Sequence, residues 1–222
     1  MTEATVFSSF PVYKLARDRA EDVDPELAAK QLTALFDDWS DRVQLRGAYD
    51  TQGFSARADL MFWLVSSSAD DIQELVTEMR RTELGRSFQM ADVFLGIVRP
   101  AEFARDHQPA FVQNKEPLKY LCIYPFVRTA EWYLLDPEER GALLREHGTA
   151  GREFPDVQAN TTSSFGLGDY EWTLAFEAES LDRIVDLIRR LRGTEARRFT
   201  KVEIPFFTGI RKDIPTLVSA LL

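Results

Sequence analysis

Ser180-Leu181-Asp182-Arg183-Ile184-Val185-Asp186-Leu187 restates, 112 residues further on, the pattern of Ser68-Ala69-Asp70-Asp71-Ile72-Gln73-Glu74-Leu75. Two more pairs share that offset. Asp24-Pro25-Glu26 matches Asp136-Pro137-Glu138, and Thr82-Glu83 matches Thr194-Glu195, with Arg86 matching Arg198. Co-registered matches at one spacing are the signature of a duplicated unit. The chain therefore reads as two halves, residues 1–112 and 113–222, joined by a connector near residues 101–118.

Each half predicts strand, helix, strand, strand, helix, strand. In the second half Tyr120, Cys122, Tyr124 and Phe126 alternate with Leu121 and Ile123, which suits a strand. A helix over 137–147 follows, capped by Asp136, started by Pro137 and stopped by Gly148. Extended stretches near 156–164 and 170–177 flank Gly166-Leu167-Gly168, a hairpin turn. Leu181, Ile184, Val185, Leu187, Ile188 and Leu191 recur at helical spacing, and Lys201 to Phe207 closes the half as a strand. That order is a ferredoxin-like α+β unit, and two tandem copies predict paired antiparallel sheets with helices outside.

Composition narrows the function. The chain has 36 acidic against 27 basic residues, a net charge of −9, which argues against a general nucleic-acid binder. Arg189, Arg190, Arg192, Arg197 and Arg198 cluster, mostly as the solvated end of a helix, yet a small anion needs only one or two of them. No apolar run approaches the roughly 20 residues that span a bilayer, and the N-terminus is not signal-like, so cytoplasm is the default compartment. The single cysteine, Cys122, excludes an internal disulfide and a cysteine-based metal cluster.

One of the two histidines, His147, follows Leu143 and Leu144 by four and three residues and so projects from the apolar face of its helix. A lone histidine there is ordinarily a satisfied core residue. The repeat supplies a control: Leu35 holds the equivalent position, so leucine serves where structure alone is at stake. A single imidazole makes a poor zinc site but suffices as an axial ligand of haem iron. No P-loop, dinucleotide fingerprint or Gly-x-Ser-x-Gly elbow occurs, and Ser-His-Asp catalysis has no support. Tyr124-Pro125, Arg128 and Trp132-Tyr133 read singly as a half-buried strand tyrosine, an edge proline, a solvated arginine and packing at a helix start.

Together, Tyr124-Pro125, Trp132-Tyr133, Glu138-Glu139-Arg140, His147-Gly148 with Arg152, Ser164 to Trp172, and Pro205-Phe206-Phe207 with Gly209 resemble the coproheme decarboxylases of the chlorite-dismutase-like superfamily. The resemblance spans nearly the whole chain. The short Tyr124–Trp132 loop, with His107 upstream, resembles the actinobacterial branch. It implies a dimeric ferredoxin-like α+β barrel, commonly a homopentamer, with the porphyrin in the C-terminal half. It further implies hydrogen-peroxide-dependent decarboxylation of Fe-coproporphyrin III (coproheme) to haem b, with no other metal, and transient contact with the preceding ferrochelatase.

By the same resemblance His147 is the axial iron ligand and His107 the distal proton carrier. Tyr124 is the residue oxidised to a radical, and Trp132 lines the propionate pocket. Arg128 and Arg197 hold propionates through charge-assisted bonds worth about 1.5–3 kcal/mol each. Where chlorite dismutases carry a distal arginine, this chain carries Ala159, which disfavours chlorite dismutation. A haem carrier or sensor, a haem peroxidase and a cofactor-free monooxygenase are the other functions such a barrel supports.

Overall fold

The computed structural model describes residues 5–100 and 108–222. In chain order the elements are β1 (Phe7–Leu15), α1 (Arg17–Ala20), α2 (Pro25–Asp38), β2 (Val43–Asp50), β3 (Leu60–Ser66), α3 (Ala69–Met79) and β4 (Phe88–Ile97). There follow β5 (Tyr120–Arg128), α4 (Ala130–Leu134), α5 (Pro137–Gly151), β6 (Gln158–Ser163), β7 (Trp172–Ala178) and α6 (Leu181–Arg192). The chain closes with β8 (Thr200–Val202), β9 (Phe207–Lys212) and α7 (Ile214–Leu221). Two compact units result: Met1–Val98 together with Phe207–Leu222, and Arg99–Phe206.

The first unit is an antiparallel sheet in the order β4-β1-β3-β2-β9. Its β3 run, Leu60 to Leu64, is buried on both faces, which explains why it is continuously apolar rather than alternating. One face, with Tyr13, Leu60, Phe62 and Phe88, packs with Leu32, Phe36, Leu75 and Leu217 of the helices. On the other, Phe10 packs at a tilt against Trp63 and Phe94 against Phe207.

The second unit pairs its strands in the order β6-β7-β5-β8, all antiparallel. Strand for strand this is the β2-β3-β1-β4 arrangement of the first unit, as a duplicated ferredoxin-like unit requires. Element starts keep the 112-residue offset: Pro25 and Pro137, Leu60 and Trp172, Ala69 and Leu181, Phe88 and Thr200. Asp24 and Asp136 cap their helices alike, accepting from Glu26 N at 2.9 Å and Glu138 N at 2.8 Å. Gly166 turns between β6 and β7 with φ +77°, a conformation that costs glycine nothing.

Two boundaries depart from the sequence expectation. The α5 helix passes Gly148 and ends at Gly151, capped by Arg152. Burying Ala150, 1% exposed, offsets the cost of an interior glycine, about 1 kcal/mol. The strand expected from Lys201 to Phe207 is two strands, β8 and β9, because Pro205 has no N–H to continue a ladder.

Gly209, on β9, lies against β2. A Cβ there would sit 2.9 Å from Tyr49 Cβ and 3.1 Å from the Asp50 carbonyl oxygen. Gly209→Ala is therefore expected to destabilise the fold by about 1–3 kcal/mol, read as a lower thermal midpoint. An unchanged midpoint would show that β9 can shift at no cost. Among the described residues, no helix is long and apolar enough to cross a membrane.

Candidate active site

The described residues expected to act together lie in the second unit, on β5, α4, α5 and the segment after α6. His107 lies outside the described residues. His147 sits on α5, partly buried, with Nδ1 3.2 Å from Thr194 Oγ1. Thr194 is 3% exposed and its hydroxyl donates to the Leu191 carbonyl at 2.7 Å. A hydroxyl has one proton, so toward His147 this oxygen accepts. The Nδ1 therefore carries the hydrogen and Nε2 presents its lone pair, the tautomer an axial ligand needs. Burial first, and the Arg128 charge second, push the imidazole down to about 4, so it is neutral at physiological pH.

The first repeat holds the same threonine geometry without the histidine. Thr82 Oγ1 donates to Met79 O at 2.8 Å and accepts from Gly85 N at 3.1 Å, while Leu35 fills the place of the imidazole. Where no imidazole is present, the backbone takes the free lone pair.

Arg128, at the end of β5, lies over Trp132, its guanidinium carbon 4.0 Å from the ring centroid, and Nη1 donates to Ala196 O at 2.8 Å. Burial pushes Arg128 down to about 10, which leaves it a cation at neutral pH. Trp132 is 4% exposed and packs near Phe199. Glu171 fixes this corner: one carboxylate oxygen accepts from Arg128 N at 2.8 Å and from the Tyr133 hydroxyl at 2.5 Å. That gives the Asp-Tyr-Glu-Trp element and Tyr133 a structural reason.

Tyr124, in the middle of β5, is 4% exposed and stacks on Phe206 at 4.5 Å, with Phe176 at 6.0 Å. Burial first, and the Glu203 carboxylate second, hold its phenol far above the ordinary range, so it stays protonated. Arg192 and Arg197 act in the opposite sense on the same hydroxyl, which places both guanidiniums within electrostatic reach of it. Glu203 pairs with both, with Arg192 at 3.2 Å and with Arg197. Ala159, on β6, pairs with Phe176 and packs in the cluster that holds Tyr124.

The structure thus brings Arg128 against Trp132, and sets His147 within reach of the Arg128 charge. Arg197 pairs with Glu203, whose charge reaches the Tyr124 hydroxyl. Among the remaining arginines of the basic cluster, Arg190 pairs with Glu153 and Arg198 with Glu195, as surface residues do. Three partners were not singled out as site residues from sequence: Thr194, Arg192 and Glu203. The Thr82–Thr194 match at the repeat offset carried a signal for the first. Nothing in the order of residues marks the Glu203 pairings, which depend on how the chain after α6 turns.

The chlorite dismutase family model matches residues 26–212. The chain is 46% identical over 219 residues to a coproheme decarboxylase of Mycolicibacterium smegmatis, covering 97% of this chain and 93% of that one. A coproheme decarboxylase of Oceanobacillus iheyensis is 28% identical over 157 residues, 63% of this chain and 62% of that one. A solved structure of a chlorite dismutase variant from Candidatus Nitrospira defluvii superposes with a TM-score of 0.88 at 23% identity, over 99% of this chain and 96% of that one. The last similarity establishes the fold alone; the extent of the first two goes further. The chain belongs to the chlorite dismutase family, among its coproheme decarboxylases.

Proposed function

We propose that this protein removes two propionate carboxylates of Fe-coproporphyrin III as carbon dioxide, leaving the vinyl groups of haem b, with hydrogen peroxide as oxidant. Each propionate loses a carboxylate and a hydrogen atom, two electrons in all, and one peroxide takes them up to give two waters. The observation that carries the reading is the Thr194-fixed imidazole of His147 in the same unit as a buried phenol and several guanidiniums. The chemistry of this set fits the substrate: one neutral nitrogen for iron, aromatic walls for a ring, cations for its carboxylates.

When bound, the iron porphyrin supplies the redox centre at which peroxide is reduced. The protein supplies the rest. His147 Nε2 would hold the iron, and Thr194 keeps the ring in the tautomer that would permit this. Tyr124 would give up an electron and its proton together to the oxidising equivalents of peroxide, because burial disfavours a free phenolate; the resulting radical would take a hydrogen from the propionate β-carbon, restoring the phenol, and the carbon radical would pass the second electron to the same oxidant as carbon dioxide leaves. Arg128 and Arg197 hold the carboxylates that leave, with Trp132 excluding water beside Arg128. By the family resemblance alone, His107 would carry the peroxide proton. Ala159, with no cationic side chain, supports decarboxylation over chlorite dismutation.

The test is incubation with ferric coproheme and stepwise peroxide, followed by porphyrin mass. A three-propionate species and then haem b are expected; an unchanged porphyrin mass overturns the reading. Assembly as a homopentamer, a cytoplasmic location and contact with the ferrochelatase that supplies coproheme belong to the same proposal. They rest on the family resemblance, and sedimentation of the loaded protein checks the first.

A further inference from the structure

Glu203 lies in the short segment between β8 and β9. Its carboxylate accepts from Arg197 Nη1 and lies 3.2 Å from Arg192 Nη2. Its side chain is 14% exposed, against 45% for Arg192 and 42% for Arg197, so the acid is the inner member of the cluster. Its field also reaches Arg128 and is the largest charge effect on the Tyr124 hydroxyl. One carboxylate thus neutralises two cations beside the reactive phenol: Arg192 lies over the ring of Phe206, 5.8 Å from its centroid, and Phe206 stacks on Tyr124 at 4.5 Å. A guanidinium offers the same donors to a side-chain carboxylate and to a propionate, so the two compete for them.

We propose that Glu203 is an internal competitor for the carboxylates of the substrate and thereby sets selectivity between substrate and product. Resting on the coproheme reading above, the exchange runs in both directions. A propionate entering beside Tyr124 displaces Glu203 from Arg192 and Arg197, so binding gains only the difference between two carboxylates. After that carboxylate has left as carbon dioxide, the neutral vinyl group cannot hold the arginines, and Glu203 takes them back. Glu203 therefore weakens substrate binding, leaves product binding nearly untouched, and acts as a positioning residue rather than on the reacting atoms.

Equilibrium titration of the full chain with iron-free porphyrins, followed by fluorescence, tests this without iron or turnover. The Glu203→Gln variant keeps the shape and removes the charge. It is expected to bind coproporphyrin III, with four carboxylates, about five- to tenfold more tightly than wild type. Binding of protoporphyrin IX, with two, is expected to change by less than about twofold. Unchanged or weaker coproporphyrin binding, or an equal change for both rings, overturns the proposal; the latter is what a merely structural Glu203 predicts. The Glu203→Asp variant keeps the charge but withdraws it by one methylene, and is expected to fall between; it carries the test if the glutamine variant fails to fold. If wild type binds coproheme but leaves its carboxylates intact under peroxide, the decarboxylase reading fails while the Glu203 comparison still stands.

Discussion

Tyr124→Phe is expected to retain coproheme and lose its decarboxylation. The substitution removes one oxygen from a ring that is 4% exposed and stacked on Phe206, so the packing of β5 is preserved. Only the abstractable hydrogen of the phenol disappears. Turnover should fall by at least about a hundredfold, the lower end of what a positioned proton-transferring group contributes, while the affinity for coproheme stays within about threefold. Single-turnover peroxide addition with porphyrin mass analysis separates the two. A variant that still forms the three-propionate species at the wild-type rate would remove Tyr124 from the mechanism. Burial, which holds the phenol protonated, makes a second expectation: turnover should not rise as the pH passes about 10, the ordinary phenol value, because no phenolate forms there. A rise at that pH would mean that the hydroxyl is solvated when substrate is bound.

His147→Ala is expected to weaken coproheme binding by at least about tenfold, equivalent to about 1.4 kcal/mol, and to change the iron spectrum. Added imidazole should restore the wild-type spectrum, which a merely structural loss would not permit. The fold should survive, since leucine occupies the equivalent position in the first repeat. Thr194 loses one partner but keeps its bond to Leu191. The pH dependence has a definite sign. The imidazole is depressed to about 4 in the folded protein, below the ordinary 6.5, so it competes with protons only in strong acid. Coproheme affinity should be flat from neutral pH to about 5 and fall about tenfold per unit below about 4. Stability follows the same rule. The unfolded chain takes up the proton first, so stability is full above about 6.5 and is lost as the pH falls toward about 4, by at most about 3 kcal/mol. His147→Leu should flatten that slope, as read from denaturation midpoints at several pH values. An affinity that begins to fall near 6.5 would instead place the ring in water.

Much of the fold was written in contiguous residues. The Asp-Pro-Glu pairs set two helix starts, because a cap is satisfied by amides two residues away. The alternation of Tyr120 to Phe126 and the helical spacing of Leu181 to Leu191 placed β5 and α6. One repeated offset then fixed the order of strands in both units, since copies of one sequence pattern share one solution for burying it. Helix α5 overran Gly148 because glycine is a weak stop when a buried alanine lies beyond it. The closing strand divided because a proline interrupts a ladder wherever it falls, while the pattern of apolar residues on either side gives no warning.

For the site the division is sharper. From sequence alone came the residue types and their chemistry: one unpaired imidazole where the sister copy has leucine, one tyrosine on the preceding strand, and arginines in an otherwise acidic chain. Only the tertiary structure decided their states. Thr194, 47 residues from His147 in sequence, fixes which ring nitrogen is free, and burial together with Arg128 keeps that nitrogen unprotonated. Likewise Glu203, rather than the acids nearer in sequence, takes Arg192 and Arg197 and bears by its charge on the Tyr124 hydroxyl. The physical reason is range. Capping and periodicity act over a few bonds and are legible in order along the chain, whereas tautomer, protonation and ion pairing follow from distance and desolvation, which exist only once the chain has closed on itself.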